Sequence, residues 1–178
     1  MADYKITQIG QDIDGENLFD YSANEDTGEV GSLSISADGS IVAIGANGND
    51  GANGEDSGHV RIYQNNSGTW QQIGDTINDL SDDDKTGERV TLSGDGTVLA
   101  VSSWNGGPVR LYERNGDSWT KTKEFTGSYG FGYSISLSED GNVIAIGALY
   151  ADSERGAVHV YKKNGNNWEI TSWSLTGD

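Results

Sequence analysis

The feature that most constrains the fold is an internal repeat that occurs three times along the chain. Each copy has a short alternating stretch, an Asp-Gly turn, a nearly continuous apolar stretch, a third stretch and a turn leading to a Trp. The copies are marked at intervals of 49 residues by Tyr63, Tyr112 and Tyr161, and by Trp70, Trp119 and Trp168. Repeats of about 40–50 residues with four strands each are typical of propeller blades. The sequence therefore predicts an all-β propeller built from four-stranded antiparallel blades.

The repeat also predicts how the chain is divided. We expect one propeller or partial propeller domain over residues 1–178, with three blades and an extra outer strand at the N-terminus. The segments are the orphan outer strand and its link at 4–30, blade 1 at 31–77, blade 2 at 88–126 and blade 3 at 133–177. Closed propellers have about four to eight blades, so three blades need a partner. That partner is either the remainder of a longer propeller or further copies of the chain, which would make a homo-oligomer.

Composition argues against several classes of partner. The 178 residues include 28 Asp and Glu against 11 Lys and Arg, a formal net charge of −17. This charge disfavours nucleic acid, whose phosphates need clustered basic residues. No apolar stretch reaches the roughly 20 residues of a membrane span, so we expect no membrane insertion. The absence of Cys excludes disulfides and thiolate metal sites, and residues 1–10 do not have the pattern of a signal peptide.

Two copies share a further motif. Gly130-Phe131-Gly132 opens the third copy, and Ile146-Gly147-Ala148 lies in its apolar stretch. Ile44-Gly45-Ala46 repeats the second half in the first copy, while the middle copy has neither half. At these residues the chain resembles the FG-GAP repeat family, whose propeller repeats also occur in integrin α-subunits. A weaker similarity, Ser-x-Asp-Gly followed by Val-Arg-Leu-Tyr, is to WD-repeats without their Gly-His and Trp-Asp signatures. Either resemblance implies a propeller. From the repeat architecture, the acidity and the lack of catalytic motifs, we expect a recognition or adhesion module that is extracellular or at the cell surface.

Calcium is the one cofactor that the sequence leaves open. Integrin-type repeats often carry an Asp-rich calcium loop between the first and second strands, whereas here that link is a tight Ser-x-Asp-Gly turn. Asp38, Asp95 and Asp140 are therefore predicted to form turns. Other loops offer the oxygen ligands that Ca²⁺ prefers, but none has EF-hand spacing, which favours solvated loops over a calcium site. The candidate metal ligands are Asp82, Asp83, Asp84, Asp50, Asp56, Asp12 and Asp14.

The candidate ligand-binding residues are aromatic. In a four-stranded blade, the loops between the second and third strands leave the same face as the links between blades. Those segments are the long, acidic ones here, so we expect that face to bind partners. Trp104 is predicted to be exposed and to stack on a sugar or a side chain; the alternative is packing against the neighbouring blade. The full set is Trp104, Tyr150, Tyr129, Phe19 and Tyr21.

The sequence contains no evident catalytic constellation. His59 and His159 belong to no nucleophile–base pair or metal-ligand spacing, and each is predicted to be a satisfied surface residue. The sequence therefore favours a non-catalytic recognition or adhesion module, not an enzyme, that binds a protein or glycan through the acidic loop face. The alternative is a self-assembling fragment, natural or engineered, that closes a propeller ring from several copies and has no ligand of its own. A glycan-active propeller enzyme is a third alternative, for which the sequence supplies no Asp/Glu pair or Tyr/Arg set.

Overall fold

The chain is all-β, and its strands form three four-stranded antiparallel sheets, which confirms the predicted fold class. The structure is a computed structural model that describes residues 7–13, 32–50, 54, 57–78, 85–103, 106–127 and 129–176. Within each sheet the strands follow chain order, and each strand pairs with the next. Each sheet is therefore one blade of a partial propeller. Among the described residues, no helix has the length and apolar character to cross a membrane.

The strand boundaries follow the repeat. Blade 1 consists of β1 (Leu33–Ile35), β2 (Ile41–Ala46), β3 (His59–Asn66) and β4 (Thr69–Gln72). Blade 2 consists of β5 (Arg89–Leu92), β6 (Val98–Ser102), β7 (Val109–Asn115) and β8 (Ser118–Phe125). Blade 3 consists of β9 (Phe131–Leu137), β10 (Val143–Ala148), β11 (Ala157–Asn164) and β12 (Asn167–Thr176). A short turn, α1 (Ala151–Glu154), joins β10 to β11 and has left-handed backbone at Asp152 and Ser153.

Apolar side chains of neighbouring blades bury one another. Successive side chains of a strand point to opposite faces, so an apolar strand gives its blade two faces that need cover. One cluster between blades 1 and 2 includes Ile41, Ala43, Val60, Ile62, Val90, Leu92, Leu99 and Val101. The equivalent cluster between blades 2 and 3 includes Ala100, Val109, Leu111, Phe131, Ile144 and Ile146. Each blade therefore depends on the next for its core.

Hydroxyl groups of blade 1 also hold the inner strand of blade 2. Ser32 Oγ accepts a hydrogen bond from Val90 N at 2.7 Å. Ser34 Oγ accepts one from Leu92 N at 2.9 Å. Blades 1 and 2 are thus joined along their inner strands by hydrogen bonds as well as by packing.

The Ser-x-Asp-Gly turns form as predicted, with the aspartate as the acceptor. Asp38 Oδ1 accepts hydrogen bonds from Ser36 Oγ at 2.7 Å and from Ser40 N at 2.9 Å. These bonds, the one from Ser36 first, lower the pKa of Asp38 from 3.8 to about 2. A hydrogen bond from the Ser138 hydroxyl is the main cause that lowers the pKa of Asp140 to about 2. The ionised carboxylates therefore stabilise the turns.

We expect these turns to make the stability of the folded chain fall at acid pH. The pKa of the Asp38 and Asp140 carboxyl groups is lower in the folded chain than the unfolded value of 3.8. Their ionised forms therefore stabilise the folded chain above pH 3.8, and this stabilisation is lost as pH falls through about 2. Combining Asp38→Asn, Asp95→Asn and Asp140→Asn should lower the melting temperature at neutral pH and flatten its decline between about pH 5 and pH 2. Thermal melts followed by circular dichroism measure both. The exposed Asp75→Asn variant is the control. If the melting temperature of the triple variant varied with pH as that of the control does, the turn aspartates would not be the groups that stabilise the folded chain.

Candidate functional site

The second strands and the links between blades end on one face, and a cavity of about 100 Å³ opens there between blades 2 and 3. Glu88 immediately precedes β5, Ser103 follows β6, and Tyr150 lies beyond the end of β10. The cavity is lined by Glu88, Ser103, Gly106, Tyr129, Gly130, Gly132, Tyr133 and Tyr150. Loop residues of two blades therefore converge on one space, on the face that the sequence predicted to bind partners.

Glu88 is the acidic group of this cavity. It is buried, with 6% of its surface exposed. Asn47 Nδ2 donates a hydrogen bond to Glu88 Oε2 at 2.6 Å, and Arg89 Nη1 donates to Oε1 at 2.8 Å. A carboxylate can accept about four hydrogen bonds, so Glu88 retains acceptor capacity for a ligand. Its position is set by Gly87, where a Cβ would lie 2.7 Å from the carbonyl oxygen of His59.

Tyr129 and Tyr150 form an aromatic wall of the cavity. Their rings are stacked, with centroids 5.0 Å apart and an interplanar angle of 28°. Gly130 allows this approach, because it has a φ of 78° and a Cβ there would lie 2.9 Å from the Tyr150 ring. Both tyrosines are exposed. An exposed pair of phenol rings offers a flat apolar surface with hydroxyl groups at its edge, which suits the face of a sugar ring.

Arg89 places a cation beside the carboxylate. Its guanidinium carbon lies 5.7 Å from the centroid of the Tyr133 ring, a cation–π geometry. The Arg89 side chain is 33% exposed, against 7% for the side chain of Glu88. Behind the cavity lining, the buried Arg110 donates from Nη1 to Ser103 Oγ at 3.4 Å. The cavity thus combines a buried carboxylate, hydroxyl groups and aromatic faces, and the partly exposed guanidinium of Arg89 contacts its lining residues Glu88 and Tyr133.

The structure brings together two of the five predicted aromatic ligand-binding residues. Tyr129 and Tyr150 come from different loops and stack on each other in the cavity wall. Trp104, Phe19 and Tyr21 lie outside the described residues. Binding of a ligand by this set stays a prediction.

Two of the predicted metal ligands lie in the described part of the chain. Asp12 Oδ1 accepts a hydrogen bond from Gln8 Nε2 at 2.8 Å, and Asp50 is exposed. The others, outside the described residues, are Asp82, Asp83, Asp84, Asp56 and Asp14. Within the described ranges, no group of three or more His, Cys, Asp or Glu side chains is placed to hold a metal ion. Calcium binding stays a prediction.

Sequence reasoning missed the charged half of the site. The repeat itself held the signal, because Glu88 and Arg89 occupy the positions that Tyr133 and Ser134 occupy in blade 3. A charged pair at the start of an inner strand departs from the repeat. Since the other blades form without such a pair, these residues are candidates for a role other than forming the blade. Asn47, which directly follows β2, could not be linked to Glu88 without the register of blades 1 and 2.

The prediction that His59 is a surface residue is wrong. His59 begins β3 and is 5% exposed, because the link around Gly87 packs over its backbone. His159 is half-buried, and its ring centroid lies 5.7 Å from that of Phe131. His59 therefore lies within the packed blades, whereas His159 is only partly covered.

Comparison with known proteins identifies the fold. No family model matches the sequence, and no curated protein matches it. Solved structures do match. A Bacteroides uniformis protein whose name gives 6-phosphogluconolactonase as an inferred activity is 19% identical, with a TM-score of 0.61 over 82% of this chain and 40% of its own. A Bacteroides fragilis protein of the same inferred activity is 13% identical, with a TM-score of 0.62 over 85% of this chain and 40% of its own. The periplasmic gluconolactonase of Pseudomonas aeruginosa is 20% identical, with a TM-score of 0.56 over 83% of this chain and 44% of its own.

These neighbours correct the functional prediction made from the sequence. A non-catalytic recognition or adhesion module, with no enzymatic activity, is contradicted because several proteins with this fold are named as lactonases. The same finding contradicts the alternative of a self-assembling fragment with no ligand of its own. The error was to take repeat architecture and the lack of a histidine motif as evidence against catalysis. At these identities the likeness shows the fold, and the chain spans less than half the length of each neighbour described.

Proposed function

We propose that this chain supplies part of the substrate site of a propeller hydrolase that opens sugar lactones. The observation that carries the proposal is the buried carboxylate of Glu88, held by two hydrogen bonds in a cavity walled by stacked tyrosines. The names of three structural neighbours support the same class of reaction. The acidic, aromatic site also fits a neutral or hydroxyl-rich ring better than an extended apolar molecule.

The residues have distinct roles in this proposal. The C–H face of the sugar ring stacks on Tyr150, and Ser103 with the tyrosine hydroxyls binds ring hydroxyl groups. Glu88 takes a proton from a water molecule as the water oxygen bonds to the lactone carbonyl carbon. Arg89 has five N–H donors, of which those not bound to Glu88 stabilise the negative charge on the carbonyl oxygen. The ester C–O bond then breaks, and the released ring oxygen takes up the proton to give the open sugar acid.

The size of the cavity defines what this chain contributes. Sites for small molecules typically have about 300–1,000 Å³, whereas this cavity has about 100 Å³. The chain also spans 40% of the length of two of the neighbours. In the proposal, blades 2 and 3 therefore form one wall of a larger central cleft.

We expect Glu88→Gln to reduce lactone hydrolysis by about 10²–10⁴-fold, the usual contribution of a general base. The assay is proton release from glucono-1,5-lactone and from its 6-phosphate, corrected for spontaneous opening. Tyr150→Ala should mainly raise KM, since it removes a stacking surface and no proton acceptor. Glu139→Gln, a carboxylate in the turn at the other face of blade 3, is the matched control. Hydrolysis by the chain that does not exceed the spontaneous rate, or that Glu88→Gln leaves unchanged, would refute the proposal.

A further inference from the structure

Among the described residues, one face of blade 1 lacks the cover that the same face has in blade 2. Leu33 and Ile35 of β1 are 66% and 56% exposed. Val90 and Leu92, at the same repeat positions in blade 2, are each 6% exposed because blade 1 packs over them. Exposed apolar side chains of this kind on a sheet face mark an interaction surface. We call the face carrying Leu33 and Ile35 the open face of blade 1.

Residues 7–13 lie against Trp70, at the outer end of blade 1. These residues belong to no sheet, yet their contacts copy those of residues 72–74, at the end of β4. Gln8 Nε2 donates to Gly10 O at 3.2 Å, as Gln72 Nε2 donates to Gly74 O at 3.3 Å. The two glycines have matching backbone, with φ of 82° and 76°.

The glycines also share the same packing partner in the next blade. A Cβ on Gly10 would lie 3.0 Å from the Trp70 ring and 2.9 Å from the carbonyl oxygen of Gly68. A Cβ on Gly74 would lie 3.0 Å from the Trp119 ring and 2.8 Å from the carbonyl oxygen of Asp117. In addition, Trp70 Nε1 donates to Ile9 O at 3.1 Å. Residues 8–10 therefore stand toward blade 1 as residues 72–74 stand toward blade 2.

We propose that the open face of blade 1 binds a three-stranded blade of the same repeat that lacks its own outer strand, and that residues 7–13 supply that strand. The partner presents a face of small and branched apolar side chains, as Ile41, Ala43 and Val60 of blade 1 do to blade 2. Its inner strand carries hydroxyls equivalent to those of Ser32 and Ser34, which would accept hydrogen bonds from the amides of Leu33 and Ile35. The inference does not depend on the lactonase proposal, since Leu33, Ile35 and Trp70 do not line the cavity of Glu88.

The structure also indicates which partner does not fit. Blade 3 of a second copy presents the equivalent face, but its sheet already has a fourth strand, β12. That strand would need the place next to Trp70 that Ile9 and Gly10 hold. A complete four-stranded blade and residues 7–13 therefore compete for one position, which disfavours closure of the ring by identical copies.

Two extended variants test this inference. In the three-strand extension, a copy of residues 32–68 is joined in front of residue 5, so that the original N-terminal segment follows the added turn in the register of β4. In the four-strand extension, a copy of residues 32–78 is joined in front of residue 1. Amide hydrogen exchange is measured at residues 8–10 and at residues 33 and 35. We expect the three-strand extension to slow exchange at both places by at least about tenfold, because both become part of a covered sheet.

The four-strand extension should leave exchange at residues 8–10 as in the parent chain or faster. Gly10→Val in the three-strand extension should remove the protection, because its side chain would meet Trp70. Gly165→Val is the matched control, with a positive φ of 59° and open space around its Cβ. Equal protection of residues 33 and 35 by both extensions, without a change at residues 8–10, would overturn the proposal.

The unextended chain gives a second test that does not depend on either extension folding. Sedimentation is expected to show a monomer of 19.0 kDa, both for the chain itself and for Ile35→Asp. A dimer or larger assembly that Ile35→Asp dissociates would overturn the proposal, because a second copy would then occupy the open face.

Discussion

Leu92→Ala is expected to lower the free energy of unfolding by about 2–5 kcal/mol, the range for removing a buried leucine side chain. Leu92 is 6% exposed and packs in the cluster between blades 1 and 2. Ile35 occupies the same repeat position in blade 1 and is 56% exposed. Ile35→Ala should therefore change the free energy of unfolding by less than about 1 kcal/mol. The two substitutions remove side chains of equal volume, so their difference reports the presence or absence of a covering blade.

Urea unfolding followed by tryptophan fluorescence measures both variants. The slope of the unfolding free energy against urea concentration should be the same for the two, since neither changes the surface exposed on unfolding by much. Similar losses for Leu92→Ala and Ile35→Ala would mean that the open face of blade 1 is covered in solution. Such a result would contradict the difference in exposure between Leu92 and Ile35.

The fold could be predicted from the sequence because each blade is specified locally. The alternating first stretch, the Ser-x-Asp-Gly turn and the apolar second stretch recur in one order, and they form β1 with β2, β5 with β6 and β9 with β10. The turn aspartates could be assigned for the same reason, since donor and acceptor lie two residues apart at Ser36 and Asp38. Short-range chemistry of this kind is visible in a single sequence.

The candidate site could be predicted only in part, because it depends on contacts between blades. Asn47 and Glu88 are separated by 41 residues and meet at 2.6 Å. Tyr129 and Tyr150 were singled out as aromatic residues of the loop face, but their stacking depends on the left-handed backbone of Gly130. Long-range pairs require the register of one blade on the next, which the repeat pattern does not specify. The resemblance to the FG-GAP repeat family stays a prediction.

The functional error has a physical explanation. A repeat fixes the strands and their turns, whereas catalytic groups of a propeller lie in the segments that vary between copies. The lack of a histidine motif does not argue against catalysis, because a single buried carboxylate can act as a base. Glu88 departs from the repeat at a strand end, which is the position where such a group is to be sought.

Gly58→Ala is expected to lower the free energy of unfolding by about 2–5 kcal/mol, the sum of backbone strain and overpacking. Gly58 has a φ of 68°, where a side chain costs about 1–2 kcal/mol. It also forms a bridge to Thr86, in the link between blades 1 and 2. A Cβ on Gly58 would meet the carbonyl oxygen of Thr86 and lie 2.5 Å from its nitrogen. Because these contacts are with backbone atoms, relief requires the link itself to move.

Gly116→Ala separates strain from overpacking. Gly116 has a nearly identical φ of 62°, but a Cβ there meets no atom within 4 Å. We therefore expect Gly116→Ala to cost only the strain of about 1–2 kcal/mol. Since the link that Gly58 contacts leads directly to Glu88, Gly58→Ala should also reduce the proposed lactone hydrolysis, while Gly116→Ala should leave it unchanged. Equal losses of stability in the two variants, measured by urea unfolding, would show that the bridge to Thr86 does not constrain the link, and the positioning of Glu88 would need another cause.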